Sequence, residues 1–291
     1  MTKLPFLTFV LAGSLVAAQA QDPPPKFKAG VAIVPVAAVV RDSGKRLVRD
    51  LTRDDFQVLE DGVPRTIVDF RSTDQAPISI ALLLDTSSSM RDANQKQASL
   101  VAEAVLKGLG AGDEAALFTF DKNLRQETPF TNDDRVIQAA LAKAVMWGQT
   151  SLYDAVGETA KRLSEQQAPR RGVVVITDGL DTSSARTPED VSSLASSVDV
   201  PVYVVAVAPK RRWFGGGNSG LADLARSTGG EQVGAATPEQ LETAISTLLA
   251  EMRQQYFLAI DASTTPGWHR LDVKTRKKGL LVRARSGYIA R

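Results

Sequence analysis

ISIALLLDTSSSM, residues 78–90, joins the two textures that decide the fold. From Ile78 to Leu84 the run is apolar apart from Ser79, without the polar alternation of a half-exposed strand. Such a run fits a strand buried on both faces of a mainly parallel sheet. It stops at Asp85, and four small hydroxyl residues follow. Moving outward, AALFTF (115–120), GVVVITD (172–178) and VPVYVVAVA (200–208) repeat the apolar texture. Between and after them lie amphipathic stretches at 93–109, 133–145, 152–166, 188–197, 220–227 and 238–253. Two of these open on Thr187-Pro188-Glu189 and Thr237-Pro238-Glu239, where Thr suits the cap and Pro the first helical turn. Strand and helix in alternation predict a doubly wound α/β domain over 77–254, Rossmann-like, with a mainly parallel sheet.

Both flanks read as strands. Residues 31–76 hold VAIVPVAAVV and FQVLEDGVPRTIVDF, with turns at Asp42-Ser43-Gly44 and Glu60-Asp61-Gly62; residues 255–291 hold YFLAID, WHRLDVKT and LLVRARSGYIA. Each flank is too short to bury a core of its own without a disulfide or metal. In a doubly wound domain the first strand starts, and the last antiparallel helix ends, at the sheet edge opposite Asp85. The junctions near Pro77 and Gln255 should then lie close together. The flanks are expected to form one smaller β-sandwich with the α/β domain inserted; two separate caps are the alternative.

Residues 1–20 have the layout of a secretory signal: Lys3, an apolar stretch over 4–18, and Ala18-Gln19-Ala20 as a cleavage site. A Pro-rich leader, 21–30, follows. No later segment is long and apolar enough to cross a bilayer, so the mature chain is expected to be extracytoplasmic, periplasmic or secreted, with no membrane span. The chain has no cysteine and a net charge of +2, which removes disulfides and thiolate sites and offers nucleic acid no basic surface. Its one histidine, His269, leaves little material for histidine triads or multi-histidine metal sites.

Asp85, Ser87 and Ser89 form a DxSxS sequence where an open α/β sheet gathers its ligand groups, at the carboxyl end of a strand. One carboxylate with two hydroxyls offers hard oxygen ligands of low charge, suited to Mg²⁺ or Mn²⁺, with Ca²⁺ as a further option. With GQTSLYDA (148–155) and VVVITDG (173–179) in order behind it, the stretch 78–253 resembles the von Willebrand factor type A family, which includes the integrin I domains. The resemblance implies a metal-ion-dependent adhesion site of Asp85, Ser87, Ser89, Thr150 and Asp178. Ser87 and Ser89 would be direct ligands, Thr150 direct or through water, and Asp85 and Asp178 largely through water. It further implies a non-enzymatic protein-binding module whose partner supplies an Asp or Glu carboxylate. DLTRDDFQVLEDG (50–62) and ARSGYIA (284–290) resemble the ends of a group of secreted bacterial proteins carrying such domains.

Other readings of the same residues stand beside this one. Asp85 and Asp178 suit helix caps, as do Thr150 and Ser151, and Ser87 to Ser89 suit a plain polar turn. Asp154 fits helix-start electrostatics better than a supporting role at the metal, and Asp181 fits a solvated turn. Trp213 and Phe214, in KRRWFGGGN, would either grip a partner or fold back onto the domain. Alternative functions are a metal-free structural or assembly protein and, behind that, a metal-dependent phosphohydrolase. Against the last, in the haloacid dehalogenase pattern a carboxylate two residues after the nucleophilic Asp carries the proton, and here Ser87 stands at that position.

Overall fold

The computed structural model describes residues 32–72, 76–166, 168, 170–207, 219–234 and 237–290. The expected signal and leader segments lie outside the described residues. The N-terminal flank forms β1 (Ala32–Asp42), β2 (Phe56–Glu60), β3 (Val63–Arg65) and β4 (Ile67–Ser72). The first half of the α/β region comprises β5 (Ile78–Asp85), α1 (Ala93–Lys107), β6 (Glu114–Phe120), β7 (Leu124–Gln126), α2 (Asp134–Leu141) and α3 (Leu152–Ser164). Its second half comprises β8 (Arg170–Thr177), α4 (Pro188–Ser197), β9 (Val202–Ala206), α5 (Ser219–Ser227), β10 (Gln232–Gly234) and α6 (Pro238–Arg253). The C-terminal flank forms β11 (Tyr256–Ala262), β12 (Gly267–Thr275), β13 (Leu280–Ala284) and β14 (Gly287–Ala290).

Six strands make the central sheet in the order β10-β9-β8-β5-β6-β7, parallel except for the edge strand β7. Every residue of β5 is buried, as its unbroken apolar run demands. Ile80 and Leu82 pack with Val101 and Val105 of α1 and Ile245 and Leu248 of α6 on one face. Ala81 and Leu83 pack with Val156 of α3, Val191 of α4 and Leu224 of α5 on the other. Successive strand residues thus serve opposite layers. The chain leaves β5 for β6 on one side and later places β8 on the other, so strand order reverses at β5, the position at which such sheets form their ligand crevice.

The helix expected over 133–145 ends at Leu141. Two contacts farther on draw the chain out of helical geometry. Met146 is buried in the core, and the Trp147 amide donates to the Thr86 carbonyl at 2.6 Å.

The flanks interleave in two antiparallel four-stranded sheets, β13-β1-β11-β4 and β14-β12-β2-β3. β1 pairs with both β11 and β13, and β12 pairs with β2, so neither sheet belongs to one flank. Between the sheets lies a second core that includes Val36, Phe56, Val58, Leu258, Ile260 and Tyr256. The Tyr256 hydroxyl donates to the Val48 carbonyl at 2.9 Å and accepts from the Leu51 amide at 3.2 Å, which fixes the loop before β2. Asp113 accepts from the Ile78 amide at 3.0 Å and pairs with Arg253, so the start of β5 and the end of α6 meet at one sheet edge. A buried ion network joins sandwich to α/β domain: Glu251 on α6 pairs with Arg41 of β1 and Arg283 of β13, and both arginines also pair with Glu231 at 2.9 Å.

Candidate functional site

β5 carries Asp85 to the crevice, and the residues after it fold into a tight loop around its carboxylate. Asp85 Oδ1 accepts from the Ser87 amide at 2.9 Å, and Oδ2 accepts from the Thr177 hydroxyl at 2.6 Å. The Ser87 and Ser89 hydroxyl oxygens lie 3.2 Å apart. A second loop is fastened across this one. Besides the Trp147 contact, the Gly148 carbonyl accepts from the Ser88 amide at 3.1 Å and from the Ser88 hydroxyl at 3.0 Å. Gly148 sits at φ +93°, a conformation that favours glycine, and its turn leads directly to Thr150. The Thr150 carbonyl accepts from the amides of Thr182 and Ser183 at 2.9 and 3.0 Å, and its amide donates to the Thr182 hydroxyl at 2.9 Å. Thr150 is thereby held between the serine loop and the loop after β8.

Asp178 leaves the end of β8 beside Asp85. Its Oδ1 accepts from the Leu180 amide at 3.2 Å across a turn in which Gly179 has φ +82°. Asp85, Ser87, Thr150 and Asp178 are buried and Ser89 is partly exposed. The Asp85 carboxyl is pushed up to about 6, chiefly by burial and further by the neighbouring Asp178 charge, against hydrogen bonds from Ser87 and Thr177 that lower it. Two buried carboxylates close together beside hydroxyl groups form an all-oxygen donor set whose charge a hard divalent cation would balance.

The helix-cap readings of these residues fail. Asp92 occupies the cap position of α1 and Thr187 that of α4, where a capping box with Asp190 closes the end; Ser151 makes no side-chain cap for α3. The α3 amides are satisfied from across the crevice instead: Leu152 donates to Asp181 Oδ1 at 2.8 Å, while Tyr153 and Asp154 donate to the Ser184 hydroxyl. Asp181 is exposed in its loop, as expected, and in addition caps α3 from a distance. Asp154 accepts from the Ala185 and Arg186 amides at 2.8 and 3.0 Å and so ties that same loop to α3. Thr177 was invisible as a site residue in sequence, because its role depends on which strand β8 pairs with. Trp213 and Phe214 lie outside the described residues.

A second cluster sits in the sandwich, where candidate ligand atoms of Glu60, Asp61 and His269 fall within 4.8 Å of one another. His269 Nδ1 faces Asp61 Oδ2 at 2.7 Å and Nε2 faces the Thr265 carbonyl at 2.7 Å. An imidazole between two acceptors is best satisfied with a proton on each nitrogen. The Thr265 carbonyl and the Asp61 carboxylate accordingly raise its pKa above the usual histidine value. Glu60 is already matched by Arg65 and by the Tyr288 hydroxyl. The cluster reads as an internal ion pair that joins the β2–β3 turn to β12.

Residues 80–180 match the von Willebrand factor type A domain family profile. A search of curated protein sequences finds no match. Among solved structures, an aerotolerance-related membrane protein from Bacteroides fragilis is similar at 17% identity and a TM-score of 0.50, over 60% of this chain and 98% of that one. BatB from Bacteroides thetaiotaomicron gives the same figures. A von Willebrand factor type A structure from Catenulispora acidiphila is similar at 12% identity and a TM-score of 0.50, over 91% of this chain and 75% of that one. At such identities the likeness speaks to fold alone, and it agrees with the sheet order and the profile match: this chain carries a von Willebrand factor type A domain.

Proposed function

We propose that the chain is an exported, non-enzymatic binding module that holds a divalent cation at Asp85, Ser87, Ser89, Thr150 and Asp178 and uses it to bind a protein partner through an Asp or Glu carboxylate. The observation that carries this is the meeting of two buried acids, Asp85 and Asp178, with Ser87 and Ser89 at the point where strand order reverses. Mg²⁺ or Mn²⁺ fits the all-oxygen donors best. When bound, the cation supplies a Lewis-acidic position for an incoming carboxylate oxygen. Ser87, Ser89 and Thr150 would contact it as neutral hydroxyls, with Asp85 and Asp178 acting through water. Such a shell offsets the charge only in part and favours an anionic oxygen from outside. Thr177 holds one oxygen of Asp85 and the Ser87 amide the other, so the carboxylate is oriented before any ligand arrives.

Export is supported by the charged, apolar and small-residue order of residues 1–20. Among the described residues, no helix is long and apolar enough to cross a membrane. The non-enzymatic reading rests on Ser87, which stands where the haloacid dehalogenase pattern has its proton-carrying carboxylate. Titration with Mn²⁺, followed by electron paramagnetic resonance with Mg²⁺ as competitor, tests the cation site. One ion should bind per chain, and Asp85→Ala and Asp178→Ala should each abolish it. Undiminished Mn²⁺ binding in both variants would remove these residues from the site.

A further inference from the structure

Two of the most exposed large apolar side chains stand beside this site. Val145 is 76% and Trp147 69% exposed, on either side of the buried Met146. Met146 acts as a root: it sinks into the core, and its carbonyl accepts from Arg91 Nε at 3.1 Å. The Arg91 guanidinium then lies over the Trp147 ring, 5.2 Å from its centroid. A cation over an indole face restricts the ring while leaving the rest of it open. The backbone beneath is bound to the serine loop, since Trp147 donates to Thr86 and Gly148 bonds Ser88. Thr86 lies directly between Asp85 and Ser87, so the Trp147 backbone is tied to the loop that carries the candidate ligands. An exposed, pre-oriented aromatic with an arginine against it has the make-up of an interface anchor. Arg91, and the cation once bound, would give this face a positive character that complements an acidic ligand.

We infer that Trp147 and Val145, braced by Arg91, form the apolar anchor of the partner-binding face. The partner is a protein segment carrying a large aliphatic or aromatic side chain one to three residues from the carboxylate that the cation receives. A short spacing is expected because Trp147 is bonded to the same loop that carries Ser87 and Ser89, and an extended chain advances about 3.3 Å per residue. This rests on the cation reading above. Here the structure points to Trp147 in the role considered for Trp213 and Phe214.

A random peptide library displayed on phage, selected on the purified full chain in Mg²⁺, tests both layers separately. The selected peptides should share an Asp or Glu with a large apolar residue one to three positions away, and chelator should release them. Trp147→Ala should weaken synthetic copies by about 30-fold, the loss typical of an interface anchor. Mn²⁺ affinity and melting temperature should stay near those of the parent, because the side chain is exposed and remote from the core. Trp147→Phe should recover part of the binding, and Arg91→Ala should weaken it less than Trp147→Ala. Chelator-sensitive acidic peptides that lack an apolar position, or that bind Trp147→Ala as tightly as the parent, would overturn the anchor while leaving the cation reading intact. Peptides indifferent to chelator, or no binding peptide at all, would count against both. If Trp147→Ala instead removes co-sedimentation with phosphatidylglycerol vesicles while peptide binding is unaffected, the anchor belongs to a membrane contact and the inference fails.

Discussion

Replacing Thr177 with Val keeps the shape of a fully buried side chain and deletes one oxygen, so it isolates the contact that orients Asp85. That hydroxyl donates to Asp85 Oδ2 at 2.6 Å and accepts from the Gly179 amide at 3.0 Å. The first is charge-assisted and contributes about 1.5–3 kcal/mol; the second is neutral and contributes roughly 0.5–1.5 kcal/mol. The Asp85 oxygen that loses its donor does not reach water easily, since Asp85 is buried. The sum is about 3 kcal/mol, and uptake of a proton by Asp85, whose carboxyl burial already lifts to about 6, would relieve part of it. For a domain of this size that loss corresponds to a melting temperature lower by roughly 6–12 °C. Urea unfolding without metal, read by circular dichroism and tryptophan fluorescence together, measures it. Mn²⁺ titration on the same samples should show weaker binding, because the acid is no longer held in register. Thr177→Ser should restore most of both. A Val variant within about 0.5 kcal/mol of the parent, with unchanged Mn²⁺ affinity, would refute the claim that Thr177 orients the site.

Three further outcomes follow from the same structure. Glu251→Gln leaves Arg41 and Arg283 with only Glu231 between them and should destabilise the chain by about 3 kcal/mol in urea, at the lower end for a broken buried pair because both arginines retain some solvent contact. Asp181→Ala should lower stability through the lost cap on α3 yet keep the full rise in melting temperature on adding Mg²⁺, whereas Asp178→Ala should lose that rise. His269→Gln should be less stable than the parent at low pH. Because the folded pKa is raised, that stabilisation is complete below the unfolded value of about 6.5 and fades as pH climbs through the folded value. Paired melts from pH 5 to 9 should therefore converge toward the alkaline end, and a gap that widens there would contradict the assigned ion pair.

The α/β architecture was legible in the sequence because its signals are local. A strand buried on both faces must be apolar throughout, as β5 is, and Thr-Pro-Glu starts α4 and α6 through neighbours three residues away. Periodicity alone placed Asp85 and Asp178 at strand ends; the grouping of these two with Ser87, Ser89 and Thr150 came from the family resemblance and is a proposal. The length of the flanks bounded their fate, because neither carries enough apolar surface to fold alone. What only tertiary structure decided are contacts between residues far apart in the chain. Thr177 meets Asp85 because β8 lies beside β5, and Asp181 caps α3 because two loops cross the crevice together. His269 finds Asp61 through the pairing of β12 with β2. The early end of α2, which turns Trp147 outward, shows the same competition from the other side. Local periodicity favours more helix over 142–145, but burying Met146 and bonding Trp147 to Thr86 outweighs it. Propensity acts over a few residues and is worth tenths of a kcal/mol each, whereas a buried side chain or a satisfied backbone amide is worth about one to three, so the longer-range contact prevails where the two disagree.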